Sequence, residues 1–256
     1  MAQGSNVISS TQNPRIKEVR KLRQKKYREK TGRLLLEGPV VLQELWPVIG
    51  PSVLELFVRE DRLEEAAAFA EEWTTVTGEV LQALAESEHS QGMVAVVPSF
   101  LRPLEELPEG GRYLYTDGIQ DPGNLGGMIR SAEAFSMDGL ILGPGTVDVT
   151  SGKVLRSSMA SAFRLPIYRG REDSLEGLRA RGDFLLALDI QGRGELPPVE
   201  GGLILIVGNE ARGVSEEARA LADERYTIAM NPVVDSLNAN VAASIAMFAL
   251  QGNNER

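Results

Sequence analysis

Between Pro14 and Thr31 the apolar residues Ile16, Val19 and Leu22 fall at helical spacing among charges, which predicts one exposed amphipathic helix with a thin apolar stripe. The pattern then shortens. Arg33-Leu34-Leu35-Leu36-Glu37-Gly38 reads as a buried strand ended by glycine, Val40–Val48 as a helix and Val53–Arg59 as a second strand. Arg62–Trp73, with alanine at 66, 67, 68 and 70, reads as helix on propensity alone. Val80–Ala85 follows as a short helix and Gly92–Val97 as a strand, so the first hundred residues describe a small α/β domain.

Pro98-Ser99-Phe100-Leu101-Arg102-Pro103 and Pro108-Glu109-Gly110-Gly111 interrupt all periodicity. They place a linker over residues 99–111, between a domain at 1–98 and a second at 112–256. The second domain alternates again. Tyr113–Ile119, Gly139–Leu142, Leu165–Tyr168, Phe184–Ile190 and Leu203–Val207 are strand candidates. Leu125–Phe135, Ser151–Phe163, Ser174–Arg181, Ser215–Leu221 and Asn238–Leu250 are helix candidates. A run such as Leu203-Ile204-Leu205-Ile206-Val207 suits a parallel sheet covered on both faces.

The 256 residues, 43% hydrophobic and 25% charged, fit an ordinary globular chain of one large domain or two. No apolar run approaches the ~20 residues of a membrane span, and Met1–Ser10 lacks the basic and apolar parts of a secretory signal. A cytoplasmic protein is expected. With no cysteine and one histidine, disulfides, thiolate chemistry, cysteine-ligated zinc and histidine-rich nucleophile systems are excluded, and no metal site is expected. His89 sits in a polar stretch and reads as a surface residue.

A net charge of −9 argues against a polyanionic partner until its distribution is considered. From Pro14 to Arg33 there are ten basic residues against only Glu18 and Glu29. Among them Arg15, Lys17, Arg20, Lys21, Arg23, Lys25 and Lys26 form a basic arm on an otherwise acidic chain, and such a concentrated field suits RNA or DNA.

Three strand-to-helix segments carry candidate chemistry. Gly208-Asn209-Glu210-Ala211-Arg212-Gly213 has Glu210 where a dinucleotide fingerprint needs its middle glycine, which suits a cationic ligand better than a pyrophosphate. A turn with a glutamate favoured at a helix start accounts for it as well. In Asp117–Ala132, three glycines near a helix start permit close backbone approach, Asn124 is a plausible cap, and Arg130 lies six residues on, beyond one-turn partnering. In Tyr226–Asn238, Ser236 and Asn238 precede an alanine-rich helix, where they can cap it or face a ligand.

In order and spacing the three segments resemble the signature motifs of the TrmH (SpoU) family of SPOUT RNA ribose 2′-O-methyltransferases: Asn124, Gly126, Arg130-Ser131-Ala132 in the first, Gly208-Asn209-Glu210 with Gly213 in the second, Ile228, Met230 and Ser236-Leu237-Asn238 in the third. Asn13-Pro14-Arg15-Ile16-Lys17 and Leu36-Glu37-Gly38 are similar to the start of that family's L30e-like substrate-binding domain. The resemblance implies a C-terminal domain with a parallel sheet and a deep trefoil knot, an exception to the unknotted rule, preceded by the small L30e-like α/β domain. It implies S-adenosylmethionine as cofactor, held by Gly208, Ile228 and Leu237, with Asn124, Arg130, Glu210, Ser236 and Asn238 catalytic or structuring, and a homodimer that completes the site. Arginine keeps its proton at neutral pH, so Arg130 is read as a fixed cation holding a phosphate and a developing alkoxide. By family analogy ribosomal RNA is expected in preference to transfer RNA.

Three positions depart from the pattern: Ala229 replaces a usual proline, Pro232 a frequent glycine, and Ala160 a common glycine. Competing readings are a base-methylating SPOUT enzyme and a catalytically silent RNA-binding or assembly factor. A nucleotide-dependent oxidoreductase is disfavoured by Glu210 and by the missing G-x-G-x-x-G.

Overall fold

The computed structural model describes residues 7–199 and 201–252, and the chain divides into two compact units. The first runs to Ser99 and includes Thr150–Arg156; the second comprises Phe100–Val149 and the chain from Ser157 onward.

In the first unit, α1 (Pro14–Lys21) and α2 (Lys25–Thr31) precede β1 (Arg33–Glu37), α3 (Pro39–Ile49), β2 (Glu55–Arg59), α4 (Leu63–Ala67), β3 (Thr74–Val76), α5 (Gly78–Leu84) and β4 (Met93–Pro98). The sheet order is β1-β4-β2-β3, antiparallel except for β2 and β3. The thin stripe of α1 is fully used: Ile16, Val19 and Leu22 pack with Leu35, Phe57, Val80, Leu84, Val94 and Val96. Leu34, Leu36, Leu56 and Val58 alternate onto the other face and are also buried, beside α3 residues Leu42 and Leu45. Burial on both faces is why these strands read as continuous apolar runs.

The single helix expected over 14–31 is instead two. Gln24 is extended (φ −97°, ψ 128°), and the Arg28 guanidinium, folded back, donates from Nη1 to the Leu22 carbonyl at 2.8 Å. Its Nε donates to Thr150 Oγ1 at 2.9 Å, and Glu86, 3.7 Å from Nη1, accepts from the Gly152 amide at 2.8 Å. Arg28 is 5% exposed, so one of the ten basic residues between Pro14 and Arg33 serves the fold. The helix expected over Arg62–Trp73 stops at Ala67, and Thr74–Val76 is a strand; Val76 is buried in the core, where packing overrides alanine propensity.

The second unit contains β5 (Leu101–Pro103), β6 (Arg112–Asp117), α6 (Pro122–Ala134), β7 (Gly139–Leu142), the last residue of α7 (Gly152–Ser157), α8 (Ser161–Arg164), β8 (Ile167–Arg169), α9 (Ser174–Ala180), β9 (Phe184–Arg193), β10 (Leu203–Gly208), α10 (Glu216–Leu221), β11 (Glu224–Tyr226) and α11 (Ala239–Gly252). Its seven strands lie in the order β11-β9-β10-β6-β7-β8-β5 and all pairs are parallel. One face buries Tyr113, Tyr115, Ile141, Ile204 and Ile206 with Val214 and Ala218. The expected linker thus contributes an edge strand, and β11 carries too few apolar residues for periodicity to reveal it.

The helix expected over Ser151–Phe163 breaks at Met159 and Ala160, whose φ angles are +46° and +68°. A left-handed backbone is strained for alanine and free for glycine, which agrees with the glycine that the resemblance implies here.

Candidate functional site

The strand order reverses between β6 and β10, where the chain leaves β6 for β7 on one side and returns through β9 to β10 on the other. Loops at the carboxyl ends of such a pair form the binding crevice of an open parallel sheet. Here they are tied together. Asn209 donates from Nδ2 to the Gly118 carbonyl at 2.8 Å, and the Ser215 amide donates to Asp117 Oδ2 at 2.6 Å.

The loop after β10 closes on itself, with Asn209 and Gly213 exchanging both backbone hydrogen bonds at 2.9 Å. The closure brings backbone so near Gly208 that a Cβ there would lie well inside 3.0 Å of the Gly213 carbonyl and the Val214 nitrogen. Gly213 turns the loop with φ +71°.

Glu210 is not a free anion awaiting a cation. Its carboxylate accepts from the amides of Gln120 (3.2 Å) and Asp121 (3.1 Å) and from Asn124 Nδ2 (3.0 Å). Burial pushes its pKa up, but the hydrogen bonds from Asn124 and from backbone amides outweigh that and hold it below the usual carboxylate value. Asn124 Oδ1 in turn accepts from Asn238 Nδ2 at 2.9 Å, while Asn238 Oδ1 accepts from the amides of Asn240 (3.0 Å) and Val241 (3.2 Å). Glu210, Asn124 and Asn238 therefore form one chain of side chains joining the β10 loop, α6 and the start of α11.

Asn124 is not the cap of α6. Asp121 holds that place, its Oδ1 accepting from the Asn124 amide at 2.8 Å, and Pro122 fills the first turn. This leaves the Asn124 side chain available to bridge Glu210 and Asn238. Of the three glycines, Gly126 faces Ser157 and Gly127 faces Asn240, both too close to admit a Cβ. Those two serve packing within the chain.

Gly208, Glu210, Ile228, Ser236 and Leu237 line one cavity of about 270 Å³, with Leu188, Asp189, Ile190, Arg219, Thr227 and Met230 among its other walls. Backbone and apolar side chains dominate it, and its guanidiniums, Arg212 and Arg219, are matched by Asp189, Glu210 and Asp235. It offers little to a pyrophosphate and suits a nucleoside bearing a compact positive charge. Arg130 stands apart: it is exposed on α6, its side chain has no partner among the described residues, and at ~100° per residue it points about 120° around the helix from Asn124. Asp189 and Arg219 were not singled out from sequence. The signal was present in Asp189 as the lone acid in the apolar stretch Phe184–Ile190.

The basic arm is split by its partners. Arg15 donates to Glu55 and lies 5.3 Å over the Phe57 ring; Lys21 pairs with Glu18 and lies 5.5 Å over Tyr27. Arg23 reaches the Ala83 carbonyl at 3.4 Å, and Lys25 is 4.0 Å from Glu29. Of the arm's seven cations, Lys17, Arg20 and Lys26 are exposed with no side-chain partner among the described residues, so their charges are available to an anion. His89 is exposed.

The family model of the SpoU rRNA Methylase family matches residues 111–248, and that of the MRM3-like substrate binding domain matches residues 13–95. Over 250 residues the chain is 34% identical to the 23S rRNA (guanosine(2553)-2'-O)-methyltransferase RlmP of Bacillus subtilis, spanning 96% of this chain and 99% of that protein. It resembles the AdoMet-bound rRNA methyltransferase from Sinorhizobium meliloti with a TM-score of 0.82 at 28% identity, covering 97% and 98% of the two chains. The SpoU methyltransferase AviRb from Streptomyces viridochromogenes, in complex with AdoMet, gives 0.81 at 28% identity over 96% and 98%.

Proposed function

The chain belongs to the SpoU rRNA methylase family of S-adenosylmethionine-dependent methyltransferases, and from that premise we propose that it methylates the 2′-hydroxyl of one ribose in ribosomal RNA, as a cytoplasmic homodimer with a knotted C-terminal domain. The observation that carries this reading is the Glu210–Asn124–Asn238 chain lying against the cavity of Gly208, Ile228 and Leu237. When bound, S-adenosylmethionine supplies an electrophilic methyl group, so the protein's task is alignment and easing loss of the hydroxyl proton.

In this reading backbone groups at Gly208, Ile228 and Leu237 hold the cofactor, and the tethered Asn124 and Asn238 keep the loops around it in register. Ser236, exposed at the cavity wall, offers a hydroxyl that a substrate can reach. Arg130 acts as a fixed cation for the phosphate and for charge growing on the 2′-oxygen. Its separation from Asn124 fits service at the site of a partner subunit. A second copy has a surface to use: Val241, Ile245 and Phe248 form an exposed i, i+4, i+7 apolar stripe on α11, extended by Phe135 with ring centroids 5.8 Å from Phe248. RNA is drawn in by Lys17, Arg20 and Lys26 together with Arg15, Lys21, Arg23 and Lys25.

The test incubates ribosomal RNA with the protein and methyl-labelled cofactor, then identifies labelled nucleosides by mass spectrometry. A 2′-O-methylnucleoside is expected; a base-methylated product, or none, overturns the proposal. With Arg130→Ala, product formation should fall by about 10²–10³-fold, the cost of losing one oxyanion stabiliser, while cofactor affinity stays within a few-fold. Full activity in that variant removes Arg130 from the mechanism.

A further inference from the structure

The edge of the cavity formed by β9 contains a feature that the three signature segments do not account for. On β11, neighbouring residues Arg225 and Tyr226 pair with Ala187 and Arg193 of β9, so residues 188–192 are looped out of the ladder. Gly192 makes the detour fit, since a Cβ there would meet the Tyr226 carbonyl carbon at 2.6 Å and the Arg225 oxygen at 2.7 Å. Such bulges re-aim side chains beside binding sites. This one sets Leu188, Asp189 and Ile190 into the cavity wall.

Asp189 is the buried carboxylate there, its side chain 2% exposed. Oδ1 accepts from the Gln191 amide at 2.9 Å. Oδ2 lies 2.7 Å from Arg219 Nε, close enough to offset charge, but the two atoms are not aligned for a hydrogen bond and neither has another partner. The cavity therefore carries, side by side, an acceptor and a donor whose directional capacity is unspent. Buried polar atoms in that state call for a ligand.

We propose that Asp189 and Arg219 read the ribose hydroxyls of the cofactor's adenosine, Oδ2 accepting one O–H and Nε–H donating to a hydroxyl oxygen; this rests on the methyltransferase reading above. The pairing selects among the cofactor's groups. Because Arg219 offsets its charge, Asp189 is a weak attractor for a sulfonium or ammonium. A vicinal diol is both donor and acceptor, and it matches the two open atoms. The other cavity carboxylate at a strand end, Glu210, is already engaged by three donors. Asp189 is thus a specificity and positioning residue for the cofactor.

The experiment is calorimetric titration of the full chain with S-adenosylhomocysteine and with its 2′-deoxy and 3′-deoxy analogues. Wild type should prefer the parent over the weaker deoxy analogue by about tenfold to hundredfold, the range of a hydrogen bond to a charged group. In Asp189→Ala the preference over that weaker analogue should fall to within about twofold, because the acceptor for its hydroxyl is gone, while the contact to Arg219 remains. Unchanged discrimination in Asp189→Ala overturns the proposal. Should that variant fail to fold, the isosteric Asp189→Asn carries the test: its parent-over-deoxy preference should fall while the ratio of S-adenosylmethionine to S-adenosylhomocysteine affinity stays as in wild type. A selective loss of S-adenosylmethionine would mean that Asp189 reads charge, and the ribose assignment would fail. Wild-type protein that binds neither compound refutes the methyltransferase reading itself.

Discussion

Adding one methyl group at Gly208 and one at Gly177 should move stability in opposite directions. At Gly208 the new Cβ meets only backbone, the Gly213 carbonyl and the Val214 nitrogen, so no flexible side chain can yield. Relief requires displacing the loop after β10, which strains the two Asn209–Gly213 hydrogen bonds of 2.9 Å. Two such bonds at ~0.5–1.5 kcal/mol each, with overpacking strain of ~1–3 kcal/mol, make Gly208→Ala destabilising by about 2–6 kcal/mol. At ~2–4 °C per kcal/mol for a chain of this size, the melting temperature should drop by about 4–24 °C. Gly177 lies within α9 with nothing within 4 Å of its would-be Cβ, and Ala is the better helix former by about 0.5–1 kcal/mol. Gly177→Ala should therefore melt about 1–4 °C higher. Calorimetric melts with and without S-adenosylhomocysteine measure both, and the ligand-induced shift should shrink only in Gly208→Ala. A Gly208→Ala protein that melts with wild type and keeps its full ligand shift would refute the argument from backbone crowding.

Replacing Lys17, Arg20 and Lys26 together should lower the slope of log affinity against log salt by ~2–3, at ~0.7–0.9 per lost phosphate contact, as read by RNA binding across a salt series. An unchanged slope would remove α1 and α2 from the RNA surface. Ala160→Gly relieves a left-handed alanine and should raise the melting temperature by about 1–4 °C, corresponding to ~0.5–1 kcal/mol. Glu210, with its folded pKa held low, adds stability that is present above the usual carboxylate pKa and lost as pH falls through the depressed folded value. The denaturation midpoint of wild type should therefore exceed that of Glu210→Gln at neutral pH, with the gap closing in acid; a gap that widens in acid contradicts the assignment.

What could be read from the chain, and what could not, follows from where each interaction is encoded. Leu203–Val207 reads directly as a two-face-buried strand because burial on both faces leaves an unbroken apolar run. β3 and β11 are three residues each, too short for a period, and exist through pairing with β2 and β9. The division at Leu22–Gln24 depends on Arg28 meeting Thr150, 122 positions away, which no local pattern contains. At the site, the residue types of the three segments were legible, but their division of labour was not. Glu210 suggested a negative charge offered to a cation, and in the fold its carboxylate is consumed in holding α6 to the β10 loop. A buried carboxylate oxygen without a hydrogen bond in the cavity belongs instead to Asp189, brought there by a five-residue detour between Ala187 and Arg193. A bulge leaves no periodic trace, so the residue it re-aims is visible only once strand registers are known. Loops that share one motif can thus keep their chemistry for structure and leave recognition to a neighbour outside it, and in this chain the deoxy-analogue titration separates those two duties.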